Sequence, residues 1–217
     1  MAVAGFEKKM DAPMDNASQA YMLDTLNRYA EIPLAEWQKM AGVMKPLSVE
    51  KNEFFVRQGA RPDRFAFIVS GIFRVCCLTE GGDERTLAFR TRGQFLAAYT
   101  PFLENRNSWY SIQALSDSEL VYLPIEDFKL RSEAHPCWEK VAKEYIVRLF
   151  IEKEDRERSF LTEDARTRYL RFKANFPDLE ERIPQFYIAS YLGISPVSLS
   201  RIRGNLKKSA HSCPAED

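Results

Sequence analysis

The sequence predicts an α+β protein: an N-terminal β-roll flanked by helices, then a long helix, then a C-terminal all-α domain with a helix-turn-helix. Three observations lead to this fold class. Short runs rich in β-branched and aromatic residues, separated by glycines, fill residues 46–124. A broad apolar stripe at helical spacing covers residues 135–160. Residues 185–204 then meet the requirements of two short helices joined by a tight turn.

Charge is balanced over the whole chain but not along it. The 217 residues include 31 basic and 31 acidic side chains, so the formal net charge is zero. With 45% hydrophobic residues the chain can bury a core, which argues against a disordered protein. Residues 182–208 contain five basic residues and no acid. This span is where composition favours a nucleic-acid partner.

The cysteines do not form a predicted metal site. Cys76 and Cys77 are neighbours in a predicted strand, so their side chains point to opposite faces and do not easily share a metal ion. No C-x-x-C motif occurs, and no histidine lies near a cysteine pair at zinc spacing. We therefore expect free thiols in a reducing compartment, with no cofactor. The four cysteines are Cys76, Cys77, Cys137 and Cys213.

The N-terminus and the histidines exclude further classes of protein. Residues 1–20 include acids and no long apolar run, so we interpret them as a soluble arm and neither a signal peptide nor a membrane anchor. We expect a cytoplasmic protein with no membrane partner. Both histidines lie outside the predicted roll, whereas a metal-dependent enzyme on it would need several inside. We expect no enzymatic activity.

Helical spacing of apolar residues predicts four helical segments. It covers residues 21–44, with a break at Ile32-Pro33, and returns in a short helix over residues 126–131. A long helix opens at His135-Pro136 and runs to Phe160. Its apolar stripe is too wide for a lone surface helix, so it packs on the β domain, on the same helix of a second subunit, or on both. The last of these four segments spans Ala165–Phe176.

Six runs predict the strands, at a spacing typical of a β-sandwich or β-roll. The runs are FFVRQ, RFAFIVSG, IFRVCCL, RTLAFR, SIQAL and ELVYLP. The segment TEGGDE between the third and fourth run is predicted to be a hairpin tip, in which Gly81 and Gly82 both supply a positive φ.

The segment QFYIASYLGISPVSLSRIRG, residues 185–204, carries the strongest local signal. Two helices that cross through a tight turn need apolar anchors and a small residue on the first helix, and Ala189 is that small residue. The turn needs a residue that tolerates positive φ, which Gly193 provides. The second helix needs an N-cap followed by proline, which Ser195-Pro196 provides, and a buried stripe, which Leu199 and Ile202 provide.

The second helix of this segment is predicted to expose side chains that bind DNA. Arg201 is our first choice for base readout, because arginine donates two hydrogen bonds to guanine O6 and N7 in the major groove. Ser195 and Ser198, with the helix N-terminus, can bind a phosphate of the DNA. Ser190 is a further residue predicted to contact the DNA backbone. The predicted DNA-binding residues are Tyr187, Ser195, Pro196, Val197, Ser198, Arg201, Arg203 and Lys207.

The order of β domain, long helix and helix-turn-helix resembles the Crp/Fnr superfamily of bacterial regulators over about residues 20–208. The resemblance rests on FVRQG, RFAFIVSGIFRV, EGGDERTLAF and RGQFL in the first half and on IPQFYIASYLGISPVSLSRIRGNL in the second. It implies a cyclic-nucleotide-binding-like sensor domain at 21–134, a dimerisation helix at 135–160 and a DNA-binding domain at 161–217. It also implies a homodimer on an inverted-repeat site in double-stranded DNA, with RNA polymerase as a further candidate partner.

The chain departs from the family where cyclic-AMP-binding members hold their ligand. Their Gly-Glu pair, which holds the ribose, falls on Ala97-Ala98, and their Arg-Ser pair, which holds the phosphate, falls on Ser108-Trp109. A phosphate buried without its arginine would be costly, so cyclic AMP is not the expected ligand. Arg106, two residues away, is the candidate substitute. The expected pocket residues are Gly71, Phe95, Ala97, Ala98, Arg106, Ser108 and Trp109.

Two alternatives concern what the C-terminal helices contact. Family members commonly have a two-stranded wing after the recognition helix, whereas KKSAHSCPAED follows Leu206 and is too short and polar to form one. Phosphate contacts would then depend more on Arg201, Arg203, Lys207 and Lys208. The alternative function is a ligand-binding regulatory module whose C-terminal helices contact another protein in place of DNA.

Overall fold

A computed structural model of the chain describes residues 14–211, and side chains as far as residue 208. Part of the predicted arm and Cys213 therefore lie outside the described residues. The chain divides into two compact units. The N-terminal unit holds the residues up to Leu78 together with Leu87–Glu152, and the C-terminal unit holds Thr79–Thr86 together with the residues from Lys153 onward.

Two helices precede the β-roll, as predicted. Helix α1 spans Asn16–Asn27 and helix α2 spans Leu34–Ala41. The break between them ends at Pro33, as the sequence predicts. Helix α1 begins inside the predicted arm, because the Asp15 carboxylate caps it by accepting a hydrogen bond from the Ser18 N–H at 2.9 Å. A boundary based on apolar spacing alone does not detect this polar first turn.

Eight strands form two four-stranded sheets, which confirms the predicted β-roll. The strands are β1 Lys45–Val49, β2 Phe54–Val56, β3 Arg64–Ser70, β4 Ile72–Leu78, β5 Glu84–Thr91, β6 Phe95–Leu96, β7 Ser111–Ala114 and β8 Ser118–Pro124. The sheet orders are β1-β8-β3-β6 and β2-β7-β4-β5. Strands β1 and β8 pair antiparallel with Leu47 opposite Leu120. A short helix, α3 at Tyr99–Leu103, follows β6 and was not predicted.

The two faces of the first sheet bury different clusters. Leu96 and Ile68 belong to the cluster inside the roll, with buried side chains from both sheets. Phe67 belongs to a second cluster with Trp37 and Trp138, which come from the surrounding helices. Neighbouring strand residues such as Phe67 and Ile68 therefore face opposite sides, as the period of two requires.

The tip of the β4–β5 hairpin is confirmed, but one of its two glycine assignments is wrong. Gly82 has a φ of +84°, whereas Gly81 does not adopt positive φ. The Gly82 N–H donates to the Thr79 carbonyl, and the Thr79 N–H donates to the Asp83 carbonyl, both at 2.9 Å. This pattern is a three-residue loop, in which a four-residue turn is followed by one left-handed residue. A loop of that length needs one left-handed glycine, not two.

Helices α4 to α9 follow the roll. Helix α4 is the predicted short helix, lengthened at both ends, and α5 continues two residues beyond the predicted Phe160. Among the described residues, no helix is long and apolar enough to cross a membrane. The bounds are α4 Ile125–Ala134, α5 Pro136–Thr162, α6 Ala165–Asn175, α7 Leu179–Arg182, α8 Gln185–Leu192 and α9 Pro196–His211.

Candidate functional site

Helices α8 and α9 of the C-terminal unit are joined by a turn built on Gly193. This residue ends α8 in the left-handed conformation, with φ 70° and ψ 31°. The Ile194 N–H donates back to the Ala189 carbonyl at 3.0 Å, which closes the helix end. A Cβ atom at Gly193 would lie 2.7 Å from the Phe160 ring, so the turn needs glycine for its backbone and for its packing.

The start of α9 is capped by Ser195. Its Oγ accepts a hydrogen bond from the Ser198 N–H at 3.1 Å and lies 2.9 Å from the Ser198 Oγ. Pro196 is the first residue of the helix, where a missing N–H costs nothing. Both serine hydroxyls therefore lie at the N-terminus of α9, where the helix dipole favours an anion such as a phosphate.

Helix α9 has one buried face and one exposed face. Leu199 is completely buried, and Ile202 and Leu206 are partly buried on the same side. The opposite side carries exposed residues at positions i, i+4, i+7 and i+11. We call these four residues the recognition face: Val197, Arg201, Gly204 and Lys208. A Cβ atom at Gly204 would meet nothing within 4 Å, so this side of the helix opens to solvent within the described chain.

Arg203 takes a different position from Arg201. Its Nε lies 2.7 Å from Glu180 Oε1 on α7, and its side chain is 31% exposed. The Tyr169 hydroxyl of α6 donates to the two Glu180 oxygens, at 2.7 and 2.9 Å. Burial, followed by the Glu180 hydrogen bond, raises the pKa of Tyr169 to about 12, so the phenol keeps its proton and remains a donor. Arg203 therefore ties α9 to α6 and α7.

Two of the residues predicted to contact the DNA backbone lie on α8. The Ser190 hydroxyl accepts a hydrogen bond from the Thr86 N–H at 2.9 Å, a contact within the C-terminal unit. Tyr187 is half-buried, with its ring 4.0 Å from the ring of Phe186. Lys207 is exposed on α9. Ser190 thus has a protein partner 104 residues away, which sequence spacing does not signal.

The predicted pocket residues divide into two groups, and three of them come together. Ala98 is completely buried in the cluster inside the roll. Ser108 is 2% exposed, and its hydroxyl donates to the Tyr110 carbonyl at 2.7 Å. Tyr110 packs against the same cluster, and its hydroxyl donates to the Ala97 carbonyl at 3.3 Å. Burial raises the pKa of Tyr110 to about 12, so this hydroxyl stays protonated.

The other predicted pocket residues lie elsewhere. Phe95 packs on the helical side of its sheet, against the rings of Phe67 and Tyr145. Arg106 has a side chain that is 75% exposed, 3.9 Å from Glu104. Trp109 is 56% exposed, with its ring edge against Tyr110. A side chain at Gly71 would meet Ser118 at 2.0 Å, so this glycine allows the link between β3 and β4 to lie close to the first residue of β8.

Comparison with known proteins gives a matching family for the roll. Residues 46–131 match the model of the cyclic nucleotide-binding domain. No curated protein matches the chain.

Solved structures match both halves of the chain. The c-di-GMP responsive global regulator CLP of Xanthomonas campestris is 13% identical, with a TM-score of 0.66 over 82% of this chain and 93% of that one. A mutant of CooA from Carboxydothermus hydrogenoformans is 18% identical, with a TM-score of 0.65 over 93% and 87%. The chain has the Crp/Fnr fold. The Catabolite Activator Protein of Thermus thermophilus, 21% identical with a TM-score of 0.54, agrees over 86% of this chain and 88% of that one.

These matches confirm the predicted fold class and, at the level of the fold, the resemblance to the Crp/Fnr superfamily. The matched proteins are named for regulation or cyclic-nucleotide binding. Sequence reasoning missed Glu180 and Tyr169 as partners of Arg203. Tyr110 is visible in the sequence as an aromatic residue of the roll, but the bond from its hydroxyl to the Ala97 carbonyl is not.

Proposed function

We propose that the chain is a sequence-specific transcription regulator that binds double-stranded DNA as a homodimer in the cytoplasm. The observation that carries the proposal is the recognition face of α9. It opens to solvent, it carries Arg201 and Lys208, and it lies in a span of the sequence without acids. Arg201 reads a guanine edge in the major groove, while Lys208 and the capped helix start contact phosphates. Arg203 keeps the helix in place through Glu180.

The dimer forms through the long helix α5. Four apolar side chains on this helix are 37% to 64% exposed within the described chain: Ile146, Val147, Phe150 and Ile151. A contiguous apolar patch of this kind marks an interface. A second copy of α5 covers it about a two-fold axis, which makes the same surface meet itself. The two recognition helices then read half-sites of an inverted repeat about 34–36 Å apart. RNA polymerase stays a predicted partner.

The roll does not bind cyclic AMP in this proposal. Ala98, at the position of the ribose-binding glutamate, is completely buried among apolar side chains. The hydroxyl of Ser108, at the position of the phosphate-binding arginine, already donates a hydrogen bond to the Tyr110 carbonyl two residues away. The Tyr110 ring and hydroxyl take up part of the interior. Arg106 is too exposed to replace the arginine inside the roll.

Cyclic AMP is expected to leave the melting temperature of the chain unchanged. A ligand at about 100 times its Kd adds about 2.7 kcal/mol to the free energy of unfolding, which calorimetry detects easily. An operator fragment in the same assay is the positive control, because it must raise the melting temperature. A saturable rise with cyclic AMP alone would overturn this part of the proposal.

The DNA-binding function is tested by selecting genomic fragments with the full chain at low and at moderate salt. Enriched fragments are expected to share an inverted repeat with half-sites about 10–10.5 base pairs apart. With about 6 phosphate contacts, the affinity is expected to fall roughly 10³-fold between 50 and 200 mM salt. A surface that contacts a protein partner gives no enriched sequence and no such salt dependence. That result would favour the alternative module and end the present proposal.

A further inference from the structure

The recognition face begins with an apolar side chain. Val197 is the second residue of α9 and is 61% exposed. It is not part of the buried side of the helix, which is formed by Leu199 with Ile202 and Leu206. Exposure of one valine alone has no special meaning. Its position four residues before Arg201, on the same face and in the first turn, is the informative observation.

In the major groove the chemistry of valine selects one base. Its side chain has no hydrogen-bond donor or acceptor, so it cannot bond to the edges of guanine, cytosine or adenine. Thymine presents a C5 methyl group there, and apolar side chains contact this methyl. We propose that Val197 contacts the C5 methyl of a thymine in each half-site and thereby determines specificity. This inference rests on the DNA-binding function proposed above.

The surroundings of Val197 fit a close contact with a base. Apart from Arg201, the exposed residues near it on this side of the helix are small, namely Ser200 and Gly204. Gly204 has open space where a side chain would be, although glycine inside a helix costs about 1 kcal/mol relative to alanine. The fold does not need a glycine there, whereas a helix that lies deep in a groove benefits from one. The α9 sequence also contains no carboxylate, the group that reads cytosine N4.

The spacing places this thymine relative to the guanine that Arg201 reads. Four residues of an α-helix rise about 6 Å. Successive base pairs are about 3.4 Å apart, so the two contacts are separated by about two base pairs. The expected half-site therefore contains a guanine and a thymine within that distance, in either strand.

The experiment replaces thymine by deoxyuridine, which removes the methyl and keeps every hydrogen-bonding group. A preferred operator is first selected from random DNA with the full chain. Each thymine of the half-site is then replaced in turn, in both half-sites together. Burial of one methyl group contributes about 0.8 kcal/mol to the binding free energy. Its loss therefore predicts about 4-fold weaker binding when one half-site is replaced and about 15-fold weaker binding when both are. One thymine position is expected to show this loss.

Variants of the protein assign the methyl contact. Val197→Ala shortens the side chain by two methyl groups and is expected to lose most of the difference in affinity between the thymine and uracil operators, while Arg201→Ala keeps the thymine preference and loses the guanine preference. Both changes are at exposed positions, and circular dichroism verifies the fold. Sequence-specific binding without sensitivity to uracil, or an unchanged sensitivity in Val197→Ala, overturns the inference and leaves the DNA-binding function intact. Failure to select any sequence overturns both. If Val197 instead meets a protein partner, Val197→Ala leaves all DNA affinities unchanged, which also overturns the inference.

Discussion

Replacing Arg201 by alanine is expected to remove most of the sequence preference of the dimer. Arg201 is exposed on the recognition face, one turn after Val197 and on the side opposite the buried Leu199. A bidentate contact to guanine contributes about 1–3 kcal/mol of discrimination, so two copies in a dimer contribute about 2–6 kcal/mol. Binding to the selected operator is therefore expected to weaken between about 30-fold and 10⁴-fold, measured against a random fragment of equal length.

Lys208→Ala is the matched control for Arg201→Ala. Both residues are exposed cations on the recognition face. Loss of a phosphate contact weakens binding about equally for all sequences and reduces the salt dependence by about one charge per subunit. Arg201→Ala should instead reduce the preference for the selected operator over random DNA. If Arg201→Ala lowers affinity for operator and random DNA by the same factor, Arg201 contacts phosphate and the assigned base contact is wrong.

The helix-turn-helix could be predicted because its requirements are local. The left-handed backbone at Gly193 and the Ser195 cap of α9 follow from residue types within a few positions of each other. Most strands were predicted for the same reason, since alternation and glycine turns are visible in short windows. Strands β1 and β6 are the exceptions: none of the six runs covers β1, and β6 has two residues, too few to show an alternation. As a result Phe95 was expected in the pocket, and Leu96 is the residue that faces the roll interior.

Pairings between distant segments could not be predicted. Glu180 and Arg203 are 23 positions apart, and no spacing rule connects two different helices. The same holds for Ser190, whose hydroxyl accepts a hydrogen bond from the Thr86 N–H in the first residues of β5, within the C-terminal unit. The sequence favours Arg201 for base readout but gives no sign that Arg203 has a carboxylate partner. The structure separates them by geometry, because one arginine meets a half-buried carboxylate and the other faces outward.

Replacing Phe150 by glutamate is expected to convert the dimer into a monomer. Phe150 is 64% exposed in the apolar patch of α5, where it lies beside Ile146 and Ile151. In a two-fold interface each substitution occurs on both subunits, so two carboxylates would be buried without partners. An uncompensated buried charge costs about 3–5 kcal/mol, and the two-fold axis would place two of them in one interface. Sedimentation equilibrium at equal concentrations of both proteins measures the change.

Leu130→Glu is the control for the same change of chemistry outside the patch. Leu130 on α4 is 68% exposed, so a glutamate there stays in water and leaves the dimer intact. A Phe150→Glu chain that sediments as a dimer would show that α5 is not the interface.

Measurements of DNA affinity distinguish a Phe150→Glu chain that has lost its dimer from one that has lost its fold. The recognition face belongs to the C-terminal unit, whereas Phe150 belongs to the N-terminal unit, so Phe150→Glu leaves the contacts to one half-site unchanged. On the complete inverted repeat the variant is expected to bind about 10²- to 10⁴-fold more weakly, because the second half-site is no longer bound intramolecularly. On an isolated half-site the affinity of the variant should equal that of the unsubstituted chain. Equal weakening on both fragments would instead mean that the substitution disturbs the recognition helix. The proposal that α5 forms the dimer while α9 binds DNA would then be wrong.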